Sequence, residues 1–319
     1  MGLRLKILTV GENDAGQRLD RFLSKAVPDV PKSLLYKSIR QKNIKINGKR
    51  AHIADRLQAG DEVAVYLRDE LLAPPEVFYD FLKAPARLGV VYEDENILLL
   101  DKPQGILVHP DENYETDTLL SRMLRYLYEK GEYDPKAENA FAPAFANRVD
   151  RGTGGIVLAA KNAEALRVLN EKLKTREIDK FYLCLVHGTP QKREDTLTGY
   201  LFKDSVKNRV YIHETKRPGD SEIRTKYRVL ASKGGISLLE VQLLTGRTHQ
   251  IRAHLAFIGC PLVGDGKYGK NGEDKKRGFY SQALYSYKLT FSFSGEENLL
   301  SYLNLRTFQV GEVWFAREF

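Results

Sequence analysis

The sequence predicts an α+β fold built in two domains. Its strand-like runs follow one another without regular alternation with helices, a pattern that fits an α+β chain. Its 319 residues, 42% of them hydrophobic, are enough for two domains with at least one large core. Residues 71–85 contain three prolines and little periodicity, so they mark the boundary. We expect a small N-terminal α/β domain over residues 1–70, a linker over 71–86 and a second domain over 87–319.

The net charge and the cysteine content restrict the class of partner and the compartment. A net charge of +8 and a pI of about 9.2 favour a polyanionic partner. Cys184 and Cys260 are too few for a disulfide framework or a zinc site, which favours a reducing cytosol. The N-terminus is too short and too charged for a signal peptide, and no run approaches the roughly 18 apolar residues of a membrane span. We therefore expect a soluble, cytoplasmic, monomeric protein with no membrane partner.

The N-terminal domain is predicted to combine two helices with short strands. Residues 17–26 place leucine and phenylalanine side chains on one helical face, and two following prolines end this helix and begin a second. A short strand over 44–46 leads into an Asn47-Gly48 turn, which is a strong hairpin signal. A Gly-Asp turn then precedes a strand over 62–67.

Seven basic residues and no acidic one lie between positions 31 and 50. Such a run can be an ordinary solvated face, but these residues lie on the second helix and the following hairpin. They would form one surface, which is the footprint expected for phosphate contacts. With its Arg-Leu-Asp-Arg-Phe-Leu run at 18–23 and Ile-Asn-Gly-Lys at 46–49, the segment resembles the alpha-L RNA-binding domain. That resemblance implies RNA contacts by Lys32, Tyr36, Lys37, Arg40, Lys42, Lys45 and Lys49.

The stretch from Phe145 to Lys161 is the main candidate functional segment of the second domain. Asp150 stands between Arg148 and Arg151, and a Gly-rich turn follows before the apolar run 156–160, which is typical of a buried strand. Opposite charges nearby favour the ionised carboxylate, and the core behind the strand fixes its position. Asp150 therefore suits a nucleophile or a general base, although an ordinary Arg-paired loop aspartate is the alternative.

Several ordered segments resemble the motifs of the RluA family of RNA pseudouridine synthases. The family pattern His-Arg-Leu-Asp-x-x-Thr-Ser-Gly stands here at 147–155, with Asn147, Val149 and Gly154 as departures. Asp-Lys-Pro-x-Gly-x-x-Val-His matches residues 101–109, and Gly-Arg-Thr-His-Gln-Ile-Arg-x-His matches 246–254. The family's strand tyrosine corresponds to Tyr182, and its later Ala-Leu-His-Ala is Ala-Leu-Tyr-Ser at 283–286.

The resemblance implies that the protein isomerises uridine to pseudouridine in RNA, most often in large-subunit ribosomal RNA. It implies a mixed, largely antiparallel central sheet in the second domain, and it implies no cofactor. Asp150 would be the catalytic aspartate, Arg247 would pair with it, and Tyr182 would stack on the target base. Arg148, Thr153, Ile251 and Lys102 are the further expected substrate contacts. Whether Asp150 attacks C1′ or removes a ribose proton stays open.

Other functions compete with this interpretation. The departures at Asn147 and Gly154 leave room for a catalytically inactive RNA-binding or chaperone protein on the same fold, and transfer RNA is an alternative substrate. His249 and His254 suggest a metal site, but their spacing is loose for one helical face and no nearby carboxylate or cysteine completes a ligand set. We therefore predict no metal.

Overall fold

The computed structural model describes residues 3–68, 71, 79–111, 116–317 and 319. Its N-terminal part is a four-stranded antiparallel sheet in the order β1-β4-β2-β3 with two helices. The strands are β1 (Leu3–Thr9), β2 (Ile44–Ile46), β3 (Lys49–Arg50) and β4 (Glu62–Arg68), and the helices are α1 (Leu19–Ala26) and α2 (Lys32–Arg40).

Local sequence explains these elements. In α1, Leu19, Phe22 and Leu23 are buried at helical spacing. The predicted hairpin between β2 and β3 is present, and Asn47 and Gly48 both have positive φ, at 49° and 75°. Two central residues of positive φ are what a two-residue type I′ turn requires, which is why Asn-Gly occurs there.

The second part is an eleven-stranded sheet whose main path runs β11-β10-β12-β13-β9-β14-β8-β6-β5, with β15 on β14 and β7 on β8. Its pairs are antiparallel except β14 with β8, so the predicted mixed, largely antiparallel sheet is confirmed. The strands are β5 (Val90–Glu93), β6 (Ile97–Lys102), β7 (Ala144–Phe145), β8 (Gly154–Ala160), β9 (Ile178–His187), β10 (Glu194–Asp204), β11 (Arg209–His213), β12 (Ser221–Lys233), β13 (Ile236–Leu243), β14 (Leu284–Phe291) and β15 (Thr307–Gln309). The helices are α3 (Leu119–Glu129), α4 (Ala163–Lys174), α5 (Gln250–Phe257) and α6 (Gly272–Lys276).

The core lies on both faces of the large sheet. Every residue of β8 is buried, and its alternate side chains enter different clusters: Ile156 and Leu158 on one face, Val157 and Ala159 on the other. Because side chains on both faces of β8 are fixed by packing, the turn that leads into the strand is anchored as well. That turn contains Asp150.

The two parts contact each other through the start of α4 and the loop before β7. Asn13 Nδ2 donates to Glu138 Oε1 at 2.8 Å, and Asn139 Nδ2 donates to the Thr9 carbonyl oxygen at 2.7 Å. Arg167 of α4 donates to the Ala15 carbonyl oxygen at 3.1 Å. Residues 72–78 of the predicted linker lie outside the described residues. None of the described helices has the length and apolar character needed to cross a membrane.

Candidate active site

Asp150 lies in the turn immediately before β8. The turn is closed by the Thr153 amide, which donates to the Asp150 carbonyl oxygen at 3.0 Å. Asn147 accepts a hydrogen bond from the Leu158 amide at 2.8 Å and so ties the start of the turn to the buried strand. Thr153 itself is buried, and its hydroxyl accepts from Gln282 Nε2 at 3.1 Å. These bonds fix the backbone around the carboxylate.

A pocket of about 470 Å³ opens beside Asp150. The structure brings most of the predicted site residues of the second domain to its wall, including Arg148, Thr153, Tyr182, Arg247 and Ile251. Of these, Arg148 and Arg247 are exposed, whereas Tyr182 and Ile251 are buried.

Tyr182 places an aromatic ring in the pocket from the middle of β9. Its burial raises the pKa of the phenol to about 12, the Ser286 hydroxyl lowers it, and the charge of Asp150 raises it further. Near neutral pH the phenol therefore stays protonated and can donate a hydrogen bond.

The arginine that contacts Asp150 is Arg252. Arg252 Nη1 donates to Asp150 Oδ2 at 2.9 Å. We expected this contact from Arg247, and that expectation is corrected: Arg247 lies exposed before α5, and its backbone amide donates to Gln250 Oε1 at 3.1 Å. Arg252 lies inside α5 and is 8% exposed, so it points into the protein.

A second carboxylate fixes Arg252. Asp265 is 1% exposed and accepts from Arg252 Nε at 2.7 Å and from Nη2 at 2.9 Å. Although burial raises the pKa of Asp265, the bonds and charge of Arg252 outweigh it and hold that pKa below its usual value. The same two carboxylates raise the pKa of Arg252 despite its burial. The guanidinium is thus a bridge of fixed orientation between Asp265 and Asp150.

His249 also faces Asp150, a contact that sequence reasoning missed. The Val210 amide donates to the Tyr268 hydroxyl at 2.9 Å, so the phenol proton is available for His249 Nδ1, also 2.9 Å away. The neutral ring then carries its proton on Nε2, which lies 3.8 Å from Asp150 Oδ2. Burial lowers the pKa of His249 more than Asp150 raises it, which favours this neutral form. Its φ of 53° could not be read from the sequence.

His254, the other histidine of the 246–254 motif, has a different hydrogen-bond partner from His249. His254 is buried, its Nδ1 lies 3.0 Å from the Thr225 hydroxyl, and burial lowers its pKa to about 4. Within the described ranges, no three histidine, cysteine or acidic side chains are grouped as metal ligands.

Lys102 does not reach the pocket, which corrects its expected role in substrate binding. It is fully buried, and its ammonium donates to the carbonyl oxygens of Pro103, Ile106 and Arg151 at 3.0, 2.9 and 3.1 Å. Burial lowers its pKa to about 8, against the opposing charge of Asp150. Lys102 therefore binds the loop after β6 to the turn that carries Asp150.

The predicted RNA-contacting residues of the N-terminal part lie on α2, in the turn after it and on the adjacent hairpin. Lys32, Tyr36 and Arg40 follow one another at i, i+4 and i+8 on the outer side of α2, and all three are exposed. The remaining members are exposed or partly exposed: Lys37, Lys42, Lys45 and Lys49. We refer to these exposed and partly exposed side chains of α2, the following turn and the β2–β3 hairpin as the basic face of the N-terminal part.

Comparison with known proteins agrees with this architecture. Residues 96–257 match the family of RNA pseudouridylate synthases, and residues 17–63 match the S4 domain. This chain belongs to the RNA pseudouridylate synthase family. The predicted family and enzyme class are thereby confirmed, and RNA is the partner that the S4 domain and the family indicate.

Relatives of this pseudouridylate synthase align over most of the chain. Its alignment with the uncharacterized RNA pseudouridine synthase YlyB of Bacillus subtilis (strain 168) has 31% identity over 284 residues. The alignment covers 89% of this chain and 88% of YlyB. This chain is 31% identical over 274 residues to ribosomal large subunit pseudouridine synthase C of Escherichia coli (strain K12), covering 85% and 82%. The solved human RNA pseudouridylate synthase domain containing 4 shares the fold, with a TM-score of 0.56 at 21% identity over 72% of this chain and 90% of that one.

Two departures of this synthase from the motif pattern meet in the structure. β8 and β14 are parallel neighbours, and Gly154 is opposite Tyr285. A Cβ atom at Gly154 would lie 2.3 Å from Cε2 of the Tyr285 ring, so only glycine leaves room for that tyrosine. The Tyr285 hydroxyl donates to Asp101 Oδ1 at 2.7 Å.

Proposed function

We propose that this synthase isomerises uridine to pseudouridine in large-subunit ribosomal RNA, with Asp150 acting at the ribose of the target nucleotide. The observation that carries the proposal is the setting of Asp150. Among the described residues that line the pocket, Asp150 alone is acidic, and its carboxylate is oriented by a guanidinium that a second, buried carboxylate holds in place.

The reaction breaks the bond from C1′ to N1, turns the uracil and bonds C5 to C1′. Nothing is oxidised and no water is consumed; N1 gains a proton and C5 loses one. The Arg252 and His249 contacts both lie at Oδ2 of Asp150, which leaves Oδ1 to face the substrate. From there the carboxylate either attacks C1′, as glycosidase carboxylates do, or removes a ribose proton.

The pocket wall suits an extracted base. An enzyme that acts on a base in folded RNA takes it out of the stack and holds it between apolar surfaces. Tyr182 and Ile251 supply an aromatic and an aliphatic surface beside Asp150, and the protonated Tyr182 hydroxyl can donate to a uracil oxygen. In this proposal Tyr182 holds the ring while the ribose faces the carboxylate.

The ribosomal substrate is supported by the relatives and by the N-terminal surface. The E. coli relative is named for the ribosomal large subunit. The basic face of the N-terminal part extends the phosphate-contacting surface beyond the pocket, which suits a large folded RNA. The domain division at residues 71–86, the cytoplasmic location and the monomeric state belong to the same proposal.

Mapping pseudouridines in total RNA from cells with and without the gene tests this function. We expect at least one pseudouridine of large-subunit ribosomal RNA to disappear and to return with the gene but not with its Asp150→Asn variant. RNA affinity of Asp150→Asn should stay within about threefold, since a phosphate interface does not depend on one carboxylate. Loss of a transfer RNA pseudouridine instead would reject the ribosomal substrate, and full rescue by Asp150→Asn would reject the role of Asp150.

A further inference from the structure

Lys180 extends the pocket along β9. Lys180 and Tyr182 are two residues apart in the strand, so their side chains project to the same face, and both line the pocket. Lys180 is partly buried. The adjacent Asp179 accepts a hydrogen bond from Gln242 Nε2 at 3.0 Å. Its position next to Lys180 in the strand directs it to the opposite face.

The ammonium of Lys180 has no hydrogen bond or ion pair with any other residue that the structure describes. Other lysines withdrawn from solvent are satisfied: Lys172 donates to Glu177 Oε2 and to the Ser294 carbonyl oxygen, both at 2.7 Å. The ammonium of Lys102 donates to three backbone carbonyl oxygens. Burial lowers the pKa of Lys180 more than the charge of the neighbouring Asp179 raises it, which reflects the cost of holding this charge without a hydrogen-bond partner. A bound anion would offset that cost.

The end of α4 completes the electropositive part of the pocket. Asn170 and Lys174 lie on the last turns of α4 and line the pocket with Lys180. Arg167, at the same helical face as these two, contacts the N-terminal part through the Ala15 carbonyl oxygen. This polar face of α4 therefore runs from the N-terminal part to the pocket.

We propose that Lys180 and Lys174 form a phosphate subsite, which binds one of the two backbone phosphates that flank the target uridine. This inference rests on the proposed function, because it assigns a place to the substrate of the same pocket. RNA that leaves the pocket then passes along α4 towards the basic face of the N-terminal part. Asn170 can donate to the same phosphate through its side-chain amide.

A binding cycle with a neutral phosphate tests the subsite. The probes are stem–loops that contain the uridine found by mapping, with either flanking phosphate replaced by methylphosphonate. The nucleotide 5′ to the altered linkage is 2′-deoxy in both members of each pair, which keeps the neutral linkage stable. We expect Lys180→Met to weaken binding of the charged RNA about 10- to 100-fold, as loss of a charge-assisted contact does. When the methylphosphonate replaces the phosphate that Lys180 contacts, Lys180→Met should weaken binding of this neutral RNA less than about threefold. We expect this result at one of the two flanking phosphates and not at the other.

Matched variants make the outcome specific. Lys180→Arg keeps the charge and should retain most of the affinity. Lys233→Met removes one charge from an exposed residue at the far end of β12, and it should affect charged and neutral RNA equally. An equal penalty from Lys180→Met on charged and neutral RNA at both positions, or no penalty at all, would overturn the subsite. Because the probes carry whichever uridine mapping identifies, and because affinity does not require turnover, the cycle is decided even if mapping rejects the ribosomal substrate or the role of Asp150.

Discussion

Replacement of Arg252 by methionine should distinguish the structural roles of the two arginines of the Gly-Arg-Thr-His-Gln-Ile-Arg motif. Methionine keeps much of the side-chain volume but leaves Asp265 as an unpaired carboxylate that is 1% exposed and bonded to the Lys267 and Tyr268 amides at 2.9 and 3.2 Å. Removing one partner of a buried ion pair costs about 3–5 kcal/mol. We expect a loss of this size in the free energy of unfolding of the second domain.

The exposed Arg247 provides the matched control. Arg247→Met should change the free energy of unfolding by less than about 0.5 kcal/mol, as exposed substitutions away from buried networks do. Urea unfolding at pH 7 measures both variants. Pseudouridine formation should fall at least about 100-fold in Arg252→Met, because Asp150 loses the donor that orients it. Comparable destabilisation by Arg247→Met, or none by Arg252→Met, would refute this assignment of the arginines.

The destabilisation should also depend on pH in a defined direction. In the native protein Arg252 holds the pKa of Asp265 below its usual value, so this pair contributes stability above pH of about 4, which is lost as pH falls through the folded pKa. Without Arg252, burial would raise the pKa of Asp265 against the two remaining amide bonds, so we expect the carboxyl to protonate at higher pH than in the native protein. The stability difference between native protein and Arg252→Met should therefore be largest at neutral pH and shrink towards pH 4.

Three further predictions concern the base, the packing beside the turn and the RNA-binding face. Tyr182→Phe should retain far more pseudouridine formation than Tyr182→Ala, since stacking survives in phenylalanine; equal loss in a turnover assay would assign the role to the hydroxyl. Gly154→Ala should lower the melting temperature through its clash with Tyr285, and Tyr285→Ala in the same chain should restore part of the loss; no coupling between the two changes would contradict the contact. Lys37→Gln with Arg40→Gln should reduce the slope of log affinity against log salt by about 0.7–0.9 for each lost contact, measured by RNA titration; an unchanged slope would remove α2 from the interface.

Local patterns were sufficient for the elements that present the site. The glycine turn and apolar run after Asp150 predicted the buried strand β8, and the Asn47-Gly48 pair predicted the hairpin of the N-terminal sheet. Both signals act over a few residues, because turn geometry and strand burial depend on adjacent side chains.

Contacts between distant segments were not accessible in the same way. Arg247 and Arg252 belong to one motif, but α5 begins between them, at Gln250. Arg252 is therefore inside the helix and points into the protein, whereas Arg247 precedes the helix and stays in solvent. A signal was present in Asp265, whose burial requires a cation, but its position opposite α5 is a property of the tertiary fold. Lys102 was misassigned for a related reason: the sequence places it at the end of a strand, but it does not show that its ammonium is enclosed by carbonyl oxygens of the following loop and of the distant turn that carries Asp150.

The departures from the motif pattern are best understood as one structural adjustment. In the sequence, Asn147 and Gly154 left room for a catalytically inactive protein, and Tyr285 was a further departure from the family pattern. The parallel pairing of β8 with β14 brings Gly154 and Tyr285 into contact, and the larger ring at 285 needs the missing Cβ at 154. Asn147 likewise serves the backbone of β8 through the Leu158 amide. Gly154 and Tyr285 therefore act on the packing behind the turn, and Asn147 acts on its backbone, although Asn147 and Val149 also line the pocket. The carboxylate of Asp150 keeps its contact with Arg252, so these changes give no physical reason to expect an inactive protein.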